Sequence, residues 1–135
     1  MLGQLARPGR TVVADFEAGL GTILRLRGRP VDLDAVVVVV EPTVKSLEVG
    51  RRAVDALSTG GAARRVIAAN RLRDDDDVAR VRAAFPGLEP VLVPEEPAIV
   101  AAERQGLAPL DTAADSPGVR ALVGLAESLL TDARA

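Results

Sequence analysis

The stretch AVVVVVE, residues 35–41, holds five consecutive valines and becomes polar only at Glu41. Valine is favoured in strands because its branched Cβ packs well on a pleated surface. A strand without polar alternation must be covered on both faces, which is typical of a parallel sheet with helices on either side. The stretch therefore predicts an inner strand of an α/β protein.

Working outward, three other short apolar runs are predicted as strands, at residues 11–15, 65–70 and 90–93. The helical spacing of apolar residues predicts helices over 44–59, 75–85, 96–105 and 117–133, and residues 19–27 are predicted as a short helix or a loop. The residues expected on the inner faces of the first, second and last of these helices are Val44, Leu47, Val54 and Leu57; Val78, Val81 and Phe85; and Val119, Leu122, Val123, Leu125, Ala126, Leu129 and Leu130. Ser116 is expected to cap the last helix, ahead of Pro117. This alternation predicts one α/β domain over residues 1–135, with a parallel sheet of about four strands flanked by helices.

The composition excludes several kinds of site. The 135 residues include no cysteine and no histidine, which argues against disulfides, thiolate nucleophiles, imidazole bases and the usual zinc or haem sites. A net charge of -2 and 1% aromatic residues do not indicate nucleic-acid binding. No apolar stretch is long enough for a membrane span and the first residues do not form a signal peptide, so a cytoplasmic protein is expected.

Polar or turn-forming residues follow each predicted strand. They are Asp15 to Gly19, then Glu41, then Asn70 and Arg71, and finally Pro94 to Glu96. The carboxyl ends of parallel strands meet at one edge of the sheet, where ligands of such folds bind. The sequence therefore predicts a binding rim there, although polar strand ends are also common without any site.

Two other interpretations fit parts of this pattern. Gly19, Gly21 and Glu41 have the spacing of a dinucleotide-binding fingerprint, but its third glycine position is Leu24. The aspartates at 74–77 could bind a hard cation, but the start of a helix is the better explanation because the helix dipole favours acids there.

The strand-end motifs, in their order and spacing, resemble the C-terminal half to two thirds of a MinD/ParA-type P-loop ATPase. The similarity extends over nearly the whole chain and is greatest to the branch of CooC-like ATPases, which help insert nickel into carbon monoxide dehydrogenase. The matching segments are Asp15-Phe-Glu-Ala-Gly19 (Walker B strand and switch II), Val36 to Pro42 with Ser46-Leu47, Asn70-Arg71, and Val93-Pro94 with Ile99, Ala102 and Gly106.

The resemblance implies a partial P-loop NTPase fold of the SIMIBI type that lacks the P-loop strand. It implies ATP and Mg²⁺ as cofactors, with Asp15 positioning Mg²⁺ and water and Gly19 sensing the γ-phosphate. Asn70, Arg71 and Pro94 would bind adenine. The nickel-binding Cys-x-Cys of the CooC-like branch has no counterpart, so no nickel site is expected.

The family's Walker A loop would lie upstream of every motif found here. The chain could thus be a fragment, a natural short form completed by a partner or a dimer mate, or a relative without the chemistry. Alone it is expected not to hydrolyse ATP. A missing central strand leaves an edge that favours pairing, so we expect either pairing of strand 11–15 with 35–41 or assembly into an oligomer. A non-catalytic docking or regulatory module is the alternative function.

Overall fold

The computed structural model describes residues 10–16, 33–58 and 64–132. Three strands, β1 (Ala35–Val40), β2 (Arg64–Leu72) and β3 (Val91–Pro94), form a parallel sheet in the spatial order β1-β2-β3. The helices are α1 (Val44–Ser58), α2 (Asp75–Ala84), α3 (Pro97–Arg104), α4 (Pro109–Thr112) and α5 (Pro117–Asp132). The predicted α/β fold with a parallel sheet flanked by helices is confirmed, with three strands in the described ranges where about four were expected.

The predicted strand at 11–15 does not form. Residues 10–16 have no regular secondary structure, and Val13 is 91% exposed. An apolar run becomes a strand only when a neighbouring strand takes up its backbone hydrogen bonds, and none of the described strands pairs with this segment. Of the two expected alternatives, pairing of 11–15 with 35–41 is therefore wrong, and assembly into an oligomer stays a prediction. The helix or loop predicted at 19–27 lies outside the described residues.

One face of the sheet, the packed face, carries the hydrophobic core. Val40 and Ile67 project from it and are each 1% exposed. Helices α1 and α2 cover this face with a set of buried side chains: Leu47, Val54, Val81 and Phe85. The inward stripe predicted for α2 is confirmed, whereas Val44, expected on the inner face of α1, is 80% exposed.

The opposite face, the open face, is covered less completely. It carries Val37, Val39 and Ala68 on the strands and is bordered by α3 and α5. The apolar residues of α5 were expected to face inward, but Val119 is the one that is buried, while Leu122 is 44% exposed. Half of this helix's apolar stripe therefore remains accessible.

The acidic run at 74–77 starts α2, as predicted. Asp74 is the N-cap, and its carboxylate accepts a hydrogen bond from the Asp77 N–H at 2.8 Å. Asp77 is 3% exposed and accepts hydrogen bonds from Arg73 and Arg80. Arg80 also donates to the Pro42 carbonyl at 3.2 Å, which ties α2 to the end of β1.

Within the described ranges, no helix combines the length and the apolar character that crossing a membrane requires.

Candidate functional site

A β-bulge in β2 shapes the carboxyl end of the sheet. Ala69 pairs with Leu92 and Leu72 pairs with Pro94, so three steps along β2 match two steps along β3. The extra residue lies at Asn70 or Arg71, and Arg71 adopts a φ of 61°, in the left-handed region that non-glycine residues seldom occupy. Bulges redirect side chains, and this one sets both predicted adenine-binding residues of β2 at the rim of the sheet.

The Arg71 guanidinium connects the ends of all three strands. Its Nη1 lies 3.4 Å from the Glu41 carboxylate, which follows β1, and its Nη2 lies 3.6 Å from the Glu95 carboxylate, which follows β3. All three side chains are well exposed, so these ion pairs contribute little to stability. Their arrangement nevertheless confirms, for β1, β2 and β3, the expectation that the polar strand ends meet at one rim.

A groove of about 780 Å³ extends from this rim across the open face. It contacts all three residues predicted to bind adenine, namely Asn70, Arg71 and Pro94. Its walls are mostly apolar and come from the strands, α3 and α5: Val37, Val39, Ala68, Ile99, Leu122 and Leu125. Apolar walls with a few convergent polar groups are typical of small-molecule sites.

Asn70 supplies an unused polar group to the groove. Its side chain is half-buried, and no described residue forms a hydrogen bond with its amide. A primary amide offers two donors and an acceptor, which matches the donor–acceptor edge of a purine. Pro94, at the end of β3, adds a rigid apolar wall. The groove can therefore accommodate a flat heteroaromatic ring between aliphatic walls with an amide at its edge.

Glu96 links the starts of two helices beside the groove. It is the N-cap of α3, and its Oε1 accepts a hydrogen bond from the Ala98 N–H at 3.2 Å. Its Oε2 accepts a hydrogen bond from the Gly118 N–H in the first turn of α5, also at 3.2 Å. The Gly118 N–H, followed by that of Ala98, holds the pKa of the Glu96 carboxyl below its ordinary value.

Ser116 occupies the N-cap position of α5, as predicted, because its carbonyl accepts the Arg120 N–H at 3.0 Å, but its side chain does not supply the cap. The Ser116 hydroxyl is buried and accepts none of the N–H groups of the helix, and Glu96 takes that role from a distance of 22 residues. Local sequence suggested Ser116 because serine is a favoured cap, whereas a cap from another element has no local signal. Pro117 begins the helix as predicted.

Of the two residues predicted to act on phosphate, only Asp15 belongs to the described part of the chain. Asp15 is exposed in segment 10–16 and does not line the cavity. Gly19 lies outside the described residues. Among the described residues, no group of three or more acidic, histidine or cysteine side chains could hold a metal ion. The groove therefore brings together Asn70, Arg71 and Pro94, and Asp15 is not among the residues that line it.

Two solved chains share this fold. The MinD cell division protein of Aquifex aeolicus matches with a TM-score of 0.54 and 23% identity, over 73% of this chain and 44% of that one. A chain of the MinC:MinD cell division protein complex of Aquifex aeolicus matches with a TM-score of 0.58 and 22% identity, over 73% and 43%. The fold thus corresponds to part of the MinD fold, and this chain matches less than half the length of those chains.

No protein-family model matches the sequence, and no curated protein matches it. At identities below one quarter, the structural similarity establishes the fold alone.

Proposed function

We propose that the chain is the distal part of a MinD/ParA-like ATPase domain and supplies its adenine-binding side. The observation that carries the proposal is that one groove on a MinD-like fold is lined by Asn70, Arg71 and Pro94 together. Membership of the CooC-like branch belongs to the same proposal and rests on Glu17 in the switch segment. A cytoplasmic location and ATP as the ligand also remain part of this proposal.

The base would enter the groove with its polar edge toward Asn70. The free amide of Asn70 would exchange hydrogen bonds with adenine, and Pro94 with the neighbouring aliphatic walls would cover the ring faces. Arg71 would remain at the rim, where Glu41 and Glu95 hold its guanidinium. In this arrangement Arg71 borders the base and leaves the apolar interior of the groove open.

The phosphate side of the site would involve other segments. Asp15 would contact Mg²⁺ through water, and the Gly19 N–H would approach the γ-phosphate because no Cβ intervenes. Phosphoryl transfer depends on a cradle that positions and neutralises the phosphates. We therefore propose that this cradle comes from a partner or from sequence outside these 135 residues, and we expect no ATP turnover by this chain alone.

Calorimetric titration with adenosine, ADP and ATP, with and without Mg²⁺, tests the proposal. We expect adenosine and ADP to bind with similar affinity, since the base supplies the contacts. Replacing Asn70 with alanine should weaken adenosine binding about tenfold, which corresponds to the loss of one to two hydrogen bonds. Gln105→Ala removes an exposed amide outside the groove and serves as the matched control.

Failure of wild-type protein to bind any of these ligands at millimolar concentration would contradict the proposal. Equal weakening by Asn70→Ala and Gln105→Ala would also contradict it. ATP hydrolysis that co-purifies with the protein and is lost in Asn70→Ala would show that the chain does not need an external phosphate cradle.

A second candidate function, a non-catalytic docking or regulatory module, is favoured by the outer edge of β1. β1 pairs with β2 on one side, and no described strand pairs with its other side. The strand carries no charge, proline or bulge that would discourage pairing, and Val39 is 64% exposed. We propose that this edge accepts a further strand, from a partner protein or from a second copy.

Light scattering during size-exclusion chromatography tests the use of this edge. If a second copy binds there, wild-type protein should form a dimer and Val39→Lys should be monomeric, because the lysine would place a charge in the interface. Val49→Lys, on the outer side of α1, introduces the same charge at a 41% exposed valine and should leave the dimer intact. If the protein is a monomer at every concentration, a second copy is excluded as the source of the added strand, and a partner protein remains as its source. Assembly that is independent of nucleotide would favour the docking module.

A further inference from the structure

The start of α5 lies unusually close to the end of β3. A Cβ built on Gly118 would come within 2.6 Å of the Glu96 Cβ and 3.4 Å of the Pro94 carbonyl oxygen. Glycine is thus required for the helix to approach so closely. The Gly118 N–H also donates a hydrogen bond to the Glu96 carboxylate. The close steric contact and the hydrogen bond between α5 and Glu96 therefore involve the same residue, Gly118.

The burial of α5 is deepest in its first turn. Val119, in its first turn, is its buried apolar residue, and the side chains further along are half-buried or exposed. Further along, the Ser128 carbonyl accepts a hydrogen bond from the Arg64 guanidinium, at the start of β2, at 3.2 Å. The first turn therefore fixes where α5 begins beside the groove. Leu122 and Leu125 continue from that turn into the wall of the groove, opposite Ile99 of α3.

We propose that Glu96 is a positioning residue that fixes α5 relative to α3 and so sets the width of the groove. One carboxylate satisfies an N–H at the start of each helix, and each helix supplies a wall. Loss of its charge would release the α5 end of this connection first, since that contact spans separate elements, whereas the α3 cap is local. The ligand-binding consequence rests on the proposed function, but the positioning role does not.

The charge of Glu96 is compensated by the helix starts themselves. The other charged groups of the groove are Arg71, Glu95 and Arg104, and Arg71 is already engaged by Glu95. Within the described part of the chain, Glu96 forms no ion pair. The positive ends of two helix dipoles therefore stabilise the carboxylate, and glutamine would preserve its shape while removing the charge.

An NMR titration with acid tests this role without any ligand. In wild-type protein, the amides of Ala98 and Gly118 and the methyl groups of Leu122 and Leu125 should shift together, with one midpoint below the ordinary glutamate pKa. In Glu96→Gln the common shift should be lost. Glu103→Gln, which removes an exposed carboxylate from α3 outside the groove, should retain it.

The methyl groups of Val54 and Val81 on the packed face should not follow this titration. The proposal would be overturned if the methyl resonances of Leu122 and Leu125 did not shift at the pH midpoint of Glu96. Shifts of the packed-face methyl groups to the same extent would also overturn it, because they would indicate a general loss of structure.

Adenosine affinity supplies the functional measurement. Glu96→Gln should bind adenosine several-fold more weakly than wild type, and Glu103→Gln should match wild type. Unchanged affinity in Glu96→Gln would overturn the link between Glu96 and binding. If wild-type protein binds no adenosine, the proposed function fails, and the methyl titration still decides whether Glu96 positions α5.

Discussion

The two faces of the sheet differ sharply in side-chain exposure, although the same strands form both. Val40, on the packed face, is 1% exposed, and its neighbour Val39, on the open face, is 64% exposed. Both are valines in one strand, so residue type does not explain the difference. Burial is determined by the helices that cover each face. α1 and α2 close the packed face, whereas α3 and α5 leave a groove on the other.

The difference in burial implies that the packed face mainly stabilises the fold and that the open face mainly serves the proposed ligand binding. The packed face holds most of the large buried side chains, with Val93 on the open face as an exception, and so supplies most of the hydrophobic contribution to folding. The open face retains accessible apolar surface next to polar strand ends, which is the combination that ligand sites require. Substitutions on the packed face should thus change stability, and those on the open face should change it little.

The largest expected contrast comes from Phe85 and Leu122. Phe85 is 3% exposed on the packed face, so Phe85→Ala should lower the free energy of unfolding by about 3–5 kcal/mol. Leu122 is 44% exposed on the open face, and Leu122→Ala should cost less than about 1 kcal/mol. Urea unfolding of the two variants gives both values. Similar losses would mean that the open face is covered in solution.

The same substitution at two glycines should have opposite effects. A Cβ on Gly50 of α1 would come within 2.5 Å of Val40 Cγ1 and 3.1 Å of Phe85 Cζ, so Gly50→Ala should destabilise by about 1–3 kcal/mol through overpacking. A Cβ on Gly124 of α5 would meet nothing within 4 Å. Gly124→Ala should therefore stabilise by roughly 0.5–1 kcal/mol, since alanine favours helix. Thermal unfolding of the two variants measures both effects, and a lower stability of Gly124→Ala than of wild type would contradict the prediction.

The sequence predicted the elements whose signals are local. The valines at 36–40 identified β1, the apolar spacing of α2 gave its inner stripe, and the acidic run gave its start. The rim also followed from sequence, because parallel strands necessarily align their carboxyl ends. Each of these features depends on periodicity or on sheet geometry, which a single chain displays directly.

Other features depend on what lies across space. Segment 11–15 has the composition of a strand but no described neighbour to pair with. The bulge at Asn70 and Arg71 is set by register with β3, and Glu96 reaches α5 across 22 residues. The composition of α5 predicted burial, but burial depends on a covering element. Local pattern contains none of this information.

The strain at Arg71 offers a smaller test at the rim of the open face. Its φ of 61° is costly for any residue with a Cβ, so Arg71→Gly should be more stable than Arg71→Ala by about 1 kcal/mol. Both variants lose the exposed ion pairs to Glu41 and Glu95, which cancel in the comparison. Chemical unfolding of both variants measures the difference between their free energies of unfolding. Equal stability would indicate that the left-handed conformation is absent in solution.

The smallest expected effect is a change in pH dependence at Glu96. Its pKa is lowered in the folded state from an ordinary value of 4.5, so the unfolded state binds more protons between the two values. The stabilisation from ionised Glu96 is thus fully present above that ordinary value and is lost as pH falls through the lowered pKa. Glu96→Gln should lack this part of the acid dependence, whereas Glu103→Gln should retain it. Thermal midpoints measured from neutral to acidic pH compare the three proteins.

The position of this loss matters as much as its size. If acid weakens α5 alone, amide exchange should rise in α5 before it rises in α1 or α2, because the packed face does not depend on Glu96. Simultaneous exchange in all three helices would mean that the two faces unfold as one unit. The open face would then be as firmly held as the packed face, despite its exposed valine and leucine side chains.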